Sequence, residues 1–219
     1  MRKLVLTAAV LAACGGVARA DVLVDSGTPI GPDNLPEGRV TKAVYYNFST
    51  GEGQFISQSF TLPTASLVTG IDSYFWAAPG VSVDVRLTSE IGPGATGADE
   101  LAHFTFAGAP NAMTEFVASP PLAVALPAGT YYLVYSAPSA NGAGFPNYAP
   151  TDIGDLTFAN TLNGSTSFVN PTNPAASGFY ANTDEGDIGL RVHGVVPEPG
   201  ATALLLLATI PTLTRRRRR

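Results

Sequence analysis

The chain of 219 residues reads as all-β: a single antiparallel β-sandwich, wound as a jelly roll. Three observations lead there. Segments of two-residue alternation recur between Asp21 and Val196, Gly, Pro and Asn interrupt them at short intervals, and no stretch there carries apolar residues at helical spacing. Successive side chains of a strand point to opposite faces, so polar and apolar alternation marks a strand with one face in water. Short strands of that kind bury their apolar faces by packing as two sheets.

Val22 to Thr28 reads as a first strand entering a turn, and Val44 to Phe48 as the next. Ile56 to Leu62 alternates, with Phe60 and Leu62 inward, and Leu67 to Trp76 follows it. The clearest segment is Val81-Ser82-Val83-Asp84-Val85-Arg86-Leu87-Thr88, in which four apolar residues alternate with four polar ones. Leu101 to Phe106, Thr114 to Val117, Leu122 to Leu126 and Thr130 to Ser136 are mostly rich in β-branched and aromatic residues, and Pro127-Ala128-Gly129 separates the last two. Asn163-Gly164 suits a type I′ turn, which makes a hairpin of Leu156 to Leu162 with Ser165 to Val169. Ile188 to His193 closes the domain, for about nine to eleven strands in all. Loops rich in Gly, Pro and Asn run from Gly27 to Gly38, Gly92 to Ala98, Pro138 to Pro150 and Asn170 to Gly186; their length suggests function or mobility.

Both ends depart from this pattern. Met1-Arg2-Lys3, the ten-residue apolar run Leu4 to Ala13, broken only by Thr7, and the small-x-small site Ala18-Arg19-Ala20 before Asp21 make residues 1–20 a secretory signal peptide. A run of ten residues is too short for a spanning helix, which needs about 20. Two processing points compete: cleavage after Ala20, and lipidation at Cys14, because Leu11-Ala12-Ala13-Cys14-Gly15 resembles the lipobox of bacterial lipoproteins. With a single cysteine the chain forms no internal disulfide.

Residues 197–219 begin Pro197-Glu198-Pro199-Gly200, continue through the apolar Ala201 to Leu213, and end after Thr214 in Arg215, Arg216, Arg217, Arg218 and Arg219. This tail resembles the PEP-CTERM sorting signal. The resemblance implies export by the secretion machinery of a bacterium, transient membrane anchoring, and processing at or near the motif by an exosortase. The physical logic agrees, since prolines hold the motif extended and arginines beyond an apolar run stay on the cytoplasmic side. The 15 residues from Gly200 to Thr214 span about 22 Å as a helix, short of a hydrocarbon core of roughly 30 Å, which suits a transient anchor better than a permanent one. Thr130 to Ser136 also looks like a strand found in extracellular jelly-roll modules of PEP-CTERM proteins.

Residues 21–196 form one domain, long enough to bury roughly 70% of the unfolded chain's surface. They hold 16 acidic residues against Arg39, Lys42, Arg86 and Arg191, so the chain's formal charge of −5 understates the acidity of the body. Nucleic acid is excluded as a partner class, because binding it requires basic groups to displace counterions from phosphates.

Val24-Asp25-Ser26-Gly27 matches the aspartic-protease pattern but has no second copy to share a proton with, and a strand entering a turn accounts for it. Gly92-Pro93-Gly94-Ala95-Thr96-Gly97 has dinucleotide-fingerprint spacing, but a strand and not a helix follows it. His103 and His193 lack spacing partners for zinc. No cofactor is expected, with a structural calcium as the one candidate: Asp184 and Asp187 would be its first ligands, and Asp152 with Asp155 form a second acidic group. Trp76 and Tyr148 are the candidate ligand-stacking aromatics.

The expectation is thus a non-catalytic exported protein of the cell surface or extracellular matrix, adhesive or structural. The alternative is a carbohydrate-binding module that holds exopolysaccharide through loop aromatics, and more remotely a glycoside-active enzyme built on paired carboxylates.

Overall fold

The computed structural model describes residues 21–29, 42–77, 80–107, 115–137, 143–145, 149–161, 167–181 and 186–197. Among these residues there are thirteen strands: β1 (Asp21–Asp25), β2 (Lys42–Asn47), β3 (Glu52–Leu62), β4 (Ser66–Ala77), β5 (Ser82–Thr88), β6 (Glu100–Ala107), β7 (Glu115–Ala118), β8 (Val124–Leu126), β9 (Gly129–Ser136), β10 (Ala143–Phe145), β11 (Leu156–Asn160), β12 (Tyr180–Ala181) and β13 (Leu190–Val195). All their pairings are antiparallel. One layer runs β1-β13-β4, with β7 and β8 along β4; the other runs β6-β5-β9-β3, with β11 and then β12 beyond β3. At one end β2 leaves β3 to pair with β10, and β10 pairs with β4, so a single sheet folds over into the sandwich. The chain crosses between layers from β3 to β4, β4 to β5, β6 to β7 and β8 to β9, the winding of a jelly-roll sandwich.

The alternating strands behave as their sequences dictate. Val83, Val85 and Leu87 of β5 are fully buried while Ser82, Asp84 and Arg86 face outward. In β4, Ile71, Ser73, Phe75 and Ala77 point in, and Asp72, Tyr74 and Trp76 point out. The rings of Phe75, Phe106, Phe145 and Tyr135 gather in the core, with centroids 5.5 Å apart for Phe75–Phe106, 5.4 Å for Phe75–Phe145 and 4.9 Å for Tyr135–Phe145. Tyr135 is completely buried and its hydroxyl shares a 2.7 Å hydrogen bond with Ser73 Oγ; burial pushes its ionisation well above the ordinary phenol range. Tyr135→Phe is expected to lower unfolding stability by about 1–2 kcal/mol, because Ser73 Oγ is left buried without its partner. Urea denaturation measures this, and a loss below about 0.5 kcal/mol would show that the bond contributes nothing net.

Strands β3 and β9 depart from half-buried alternation, being buried on both faces along most of their length. Their outer face is covered by chain from the last long loop. A 3-10 helix (Pro174–Ala176) is wholly buried there; Val134 packs with Ala95 and Ala175, and Phe55 with Ala159 and Val169. Gly92 N–H donates to Ala175 O (2.8 Å) and Asn173 Nδ2 to Ala95 O (3.3 Å), tying this covering segment to the turn after β5.

Three expectations need correction. The Asn170 to Gly186 region is in large part this covering layer and also contains β12, while the Pro138 to Pro150 loop contains β10, whose three residues are all buried. Both strands are too short to show a period. The expected second hairpin arm is not a strand over residues 167–169: β11 spends its edges on β3 and β12 instead. The chain nevertheless folds back, since Ser167 Oγ accepts from Asn160 N (2.7 Å) and donates to Asn160 O. The Asn163-Gly164 turn itself lies outside the described residues.

Candidate functional site

The acidic-motif residues have structural occupations. Asp25 Oδ1 accepts from Gly27 N–H (2.8 Å), and the Asp25 carboxylate pairs with Arg191 Nε across β1 and β13 (3.3 Å). Ser26 is buried, donating to Ile188 O (2.8 Å) and accepting from Leu190 N–H (2.7 Å). After the glycine-rich turn comes β6, a strand as expected, and Asp99 holds the turn by accepting from Thr96 N–H (2.7 Å) and Thr96 Oγ1 (2.8 Å). Those two bonds lower the Asp99 carboxyl below its ordinary pKa.

Asp187 is 5% exposed. Its Oδ1 accepts from Gln58 Nε2 (2.9 Å) and its Oδ2 from Ile153 N–H (2.6 Å), while Gln58 Oε1 accepts from Ile188 N–H (3.1 Å). Burial raises the Asp187 carboxyl above the ordinary range despite these donors, and the nearby charge of Asp152 adds to the rise. The fold thus brings together members of the two acidic groups, but N–H donors already cap both Asp187 oxygens, and a cation there would have to displace them. Asp152 and Asp155 are exposed. Among the described residues no three His, Cys, Asp or Glu side chains converge as a metal site. Asp184 lies outside the described residues, as do Tyr148, Cys14, Ala18, Ala20, Glu198, Pro199 and Arg215 to Arg219. Pro197 is exposed just after β13. Among the described residues no helix is long and apolar enough to cross a membrane.

Trp76 stands half-buried on the outer face of β4, opposite Gly144. On the same face Tyr74 leans on Phe116 (5.1 Å), Arg191 stacks on the Phe116 ring (3.9 Å), and His193 Nε2 lies 2.8 Å from Asp72 Oδ2. Tyr74, Phe116, Arg191, His193 and Asp72 are thus engaged with one another.

A concave arrangement occurs on the other layer. Tyr46, Phe48, Phe55, Asp84, Arg86, Ser136, Ala137, Pro171 and Pro174 line an open recess of about 40 Å³. One wall is the β2–β3 turn. Gly51 N–H donates to Asn47 O (2.8 Å) and Gly51 sits at φ 72°, the left-handed region that favours glycine. Gly53 has no side chain because a Cβ would lie 2.5 Å from the Tyr46 ring. Tyr46 is thereby laid against Phe55 (6.2 Å), and Phe48 meets Tyr46 edge-on (4.8 Å, 77°) while 69% exposed. The facing wall is the covering segment, where Asn170 Oδ1 accepts from Thr172 N–H, Thr172 Oγ1 and Asn173 N–H (3.1, 2.8 and 3.0 Å) around Pro171.

The floor comes from β5 and β9. Asp84 Oδ1 accepts from Thr105 Oγ1 (2.9 Å), and His103 Nε2 is 3.7 Å from Asp84 Oδ2. Arg86 is pinned by an ion pair with Glu100, and its buried Nε has no hydrogen-bond partner among the described residues. The recess therefore offers ring faces, a carboxylate that accepts and a guanidinium that donates. The sequence pointed to Trp76 and Tyr148 as ligand-stacking aromatics and placed Tyr46 and Phe48 only within a strand segment. The missed signal was the outward pair Asp84 and Arg86, two residues apart in the most regular strand. Neither a protein-family model nor a curated protein matches the chain.

Proposed function

We propose that this is an exported, non-catalytic surface or extracellular-matrix protein, delivered by the secretion machinery and processed by an exosortase at Pro197-Glu198-Pro199, whose β-sandwich acts as an adhesive or structural module. The observation that carries this reading is the pairing of β1 (Asp21–Asp25), whose first residue follows the expected cleavage site, with β13 (Leu190–Val195), which precedes the expected sorting motif. Asp21 lies opposite Gly194, so the body's first residue and the departing tail are neighbours at one end of the sandwich. Membrane attachment through residues 201–213, or through a lipid on Cys14, would approach the body from that same end. The excess of acidic over basic residues in the body favours solubility and disfavours anionic surfaces.

Glu198→Ala is expected to leave the tail uncut and the protein in the membrane fraction, read by intact-mass spectrometry of fractionated cells. Normal processing and release of this variant would refute the sorting reading. The same spectra decide between Cys14 and Asp21 as the mature N-terminus.

A further inference from the structure

We propose that the recess between the β2–β3 turn and the covering segment binds a sugar ring of a neutral polysaccharide, with Tyr46 and Phe48 as the stacking surface and Asp84 and Arg86 as the hydroxyl-binding pair. Aromatic faces match the apolar C–H face of a pyranose, and the adjoining carboxylate and guanidinium match its hydroxyls, which both donate and accept. Glu100 fixes the Arg86 guanidinium in place, and Thr105 holds Asp84, so the polar pair is oriented before a ligand arrives. A recess of about 40 Å³ takes the edge of one ring and not a globular partner, and its open side lets a chain continue across exposed Phe48. The acidic excess of the body, with Asp84 itself in the recess, repels polyanions and selects an uncharged chain.

Position agrees. β13 ends beside the start of β4, with Val195 opposite Leu67, and β3 joins β4 there through a short turn, so Leu62 and Gly129 also lie at the end where the chain enters and leaves. The β2–β3 turn and Ser136 are at the opposite ends of β3 and β9, so the recess faces away from the expected membrane side. Binding goes beyond the sorting reading and does not depend on it.

The test is affinity electrophoresis of the full chain, purified in a mild non-ionic detergent. The gels contain soluble neutral polysaccharides (a β-glucan, a mannan, a galactan and a dextran) or a polyuronate. Retardation by at least one neutral polymer and none by the polyuronate is expected. Phe48→Ala, which alters an exposed rim residue, should weaken the apparent affinity about tenfold, equivalent to about 1.4 kcal/mol. Asp84→Asn should weaken it severalfold, and Trp76→Ala, on the opposite layer, should leave it unchanged. No retardation in any neutral polymer overturns the proposal, as does binding that survives both Phe48→Ala and Asp84→Asn, or binding to the polyuronate alone. Because the Glu198→Ala experiment reads processing and this one reads retention, each reading can fail without the other.

Discussion

Asp187→Ala is expected to lower unfolding stability by about 1–4 kcal/mol at neutral pH, because a buried donor left without its acceptor costs about 1–3 kcal/mol. The donors are Gln58 Nε2, which is buried and keeps a second bond to Ser59 O (3.1 Å), and the partly buried Ile153 N–H. Gln58 Oε1 also accepts from Ile188 N–H, so one carboxylate helps tie β3 to the two segments leading into β11 and β13. Relief of a desolvated charge tempers the loss without cancelling it. The dependence on pH has a definite sign. The folded carboxyl has a raised pKa, so the folded state holds this proton more tightly than the unfolded state does. Asp187's contribution is therefore complete below the unfolded value of about 3.9 and declines as pH rises through the folded value. The stability gap between the natural protein and Asp187→Ala should widen on acidification through that window. Asp99, whose pKa is lowered, has the opposite sign, and its contribution is lost as pH falls. Urea titrations at several pH values measure both; a gap that is constant or narrows with acidification would contradict the burial described for Asp187.

Phe75→Ala should cost about 3–5 kcal/mol, a large part of a typical domain's 5–15 kcal/mol. Phe75 is fully buried, and its ring lies against both Phe106 and Phe145. Removing it takes transfer free energy and leaves a cavity between strands of both layers, where β10 has only three residues to hold Phe145 in place. Trp76→Ala, one residue later and on the opposite face of β4, should cost less than half as much, because that ring is half-buried. Thermal unfolding of the two variants compares the faces directly. Equal losses would mean that β4 is not the two-faced strand described.

Most of the strand framework was legible because alternation is a local property. Val83-Asp84-Val85-Arg86-Leu87 states which side faces the core wherever the strand lies, and β5 obeys it. Ser57-Gln58-Ser59 on β3 does not: these polar residues are buried, Ser59 by contact with residues near Asp155 and Gln58 by Asp187, 129 residues away. No window of sequence contains those partners. For the same reason the sequence offered Asp187 as a cation ligand beside Asp184, and only packing shows its carboxylate turned inward onto N–H donors. Of the candidate site, single residues could be named, but a recess assembled from β2, β5, β9 and the covering segment could not.

The amino-acid order alone thus determines the all-β class, the inward faces of the regular strands and the acidity of the body, and it raises the proposal of two terminal sorting segments. Those features arise from side-chain period and from runs of charge or apolarity, which act between near neighbours. Which strands lie at the centre, what covers their second face, which carboxylate is buried and which aromatics share a hollow were settled by tertiary packing. They depend on contacts between distant parts of the chain, formed when an antiparallel sheet folds over on itself and each exposed apolar face takes whatever segment the winding brings to it.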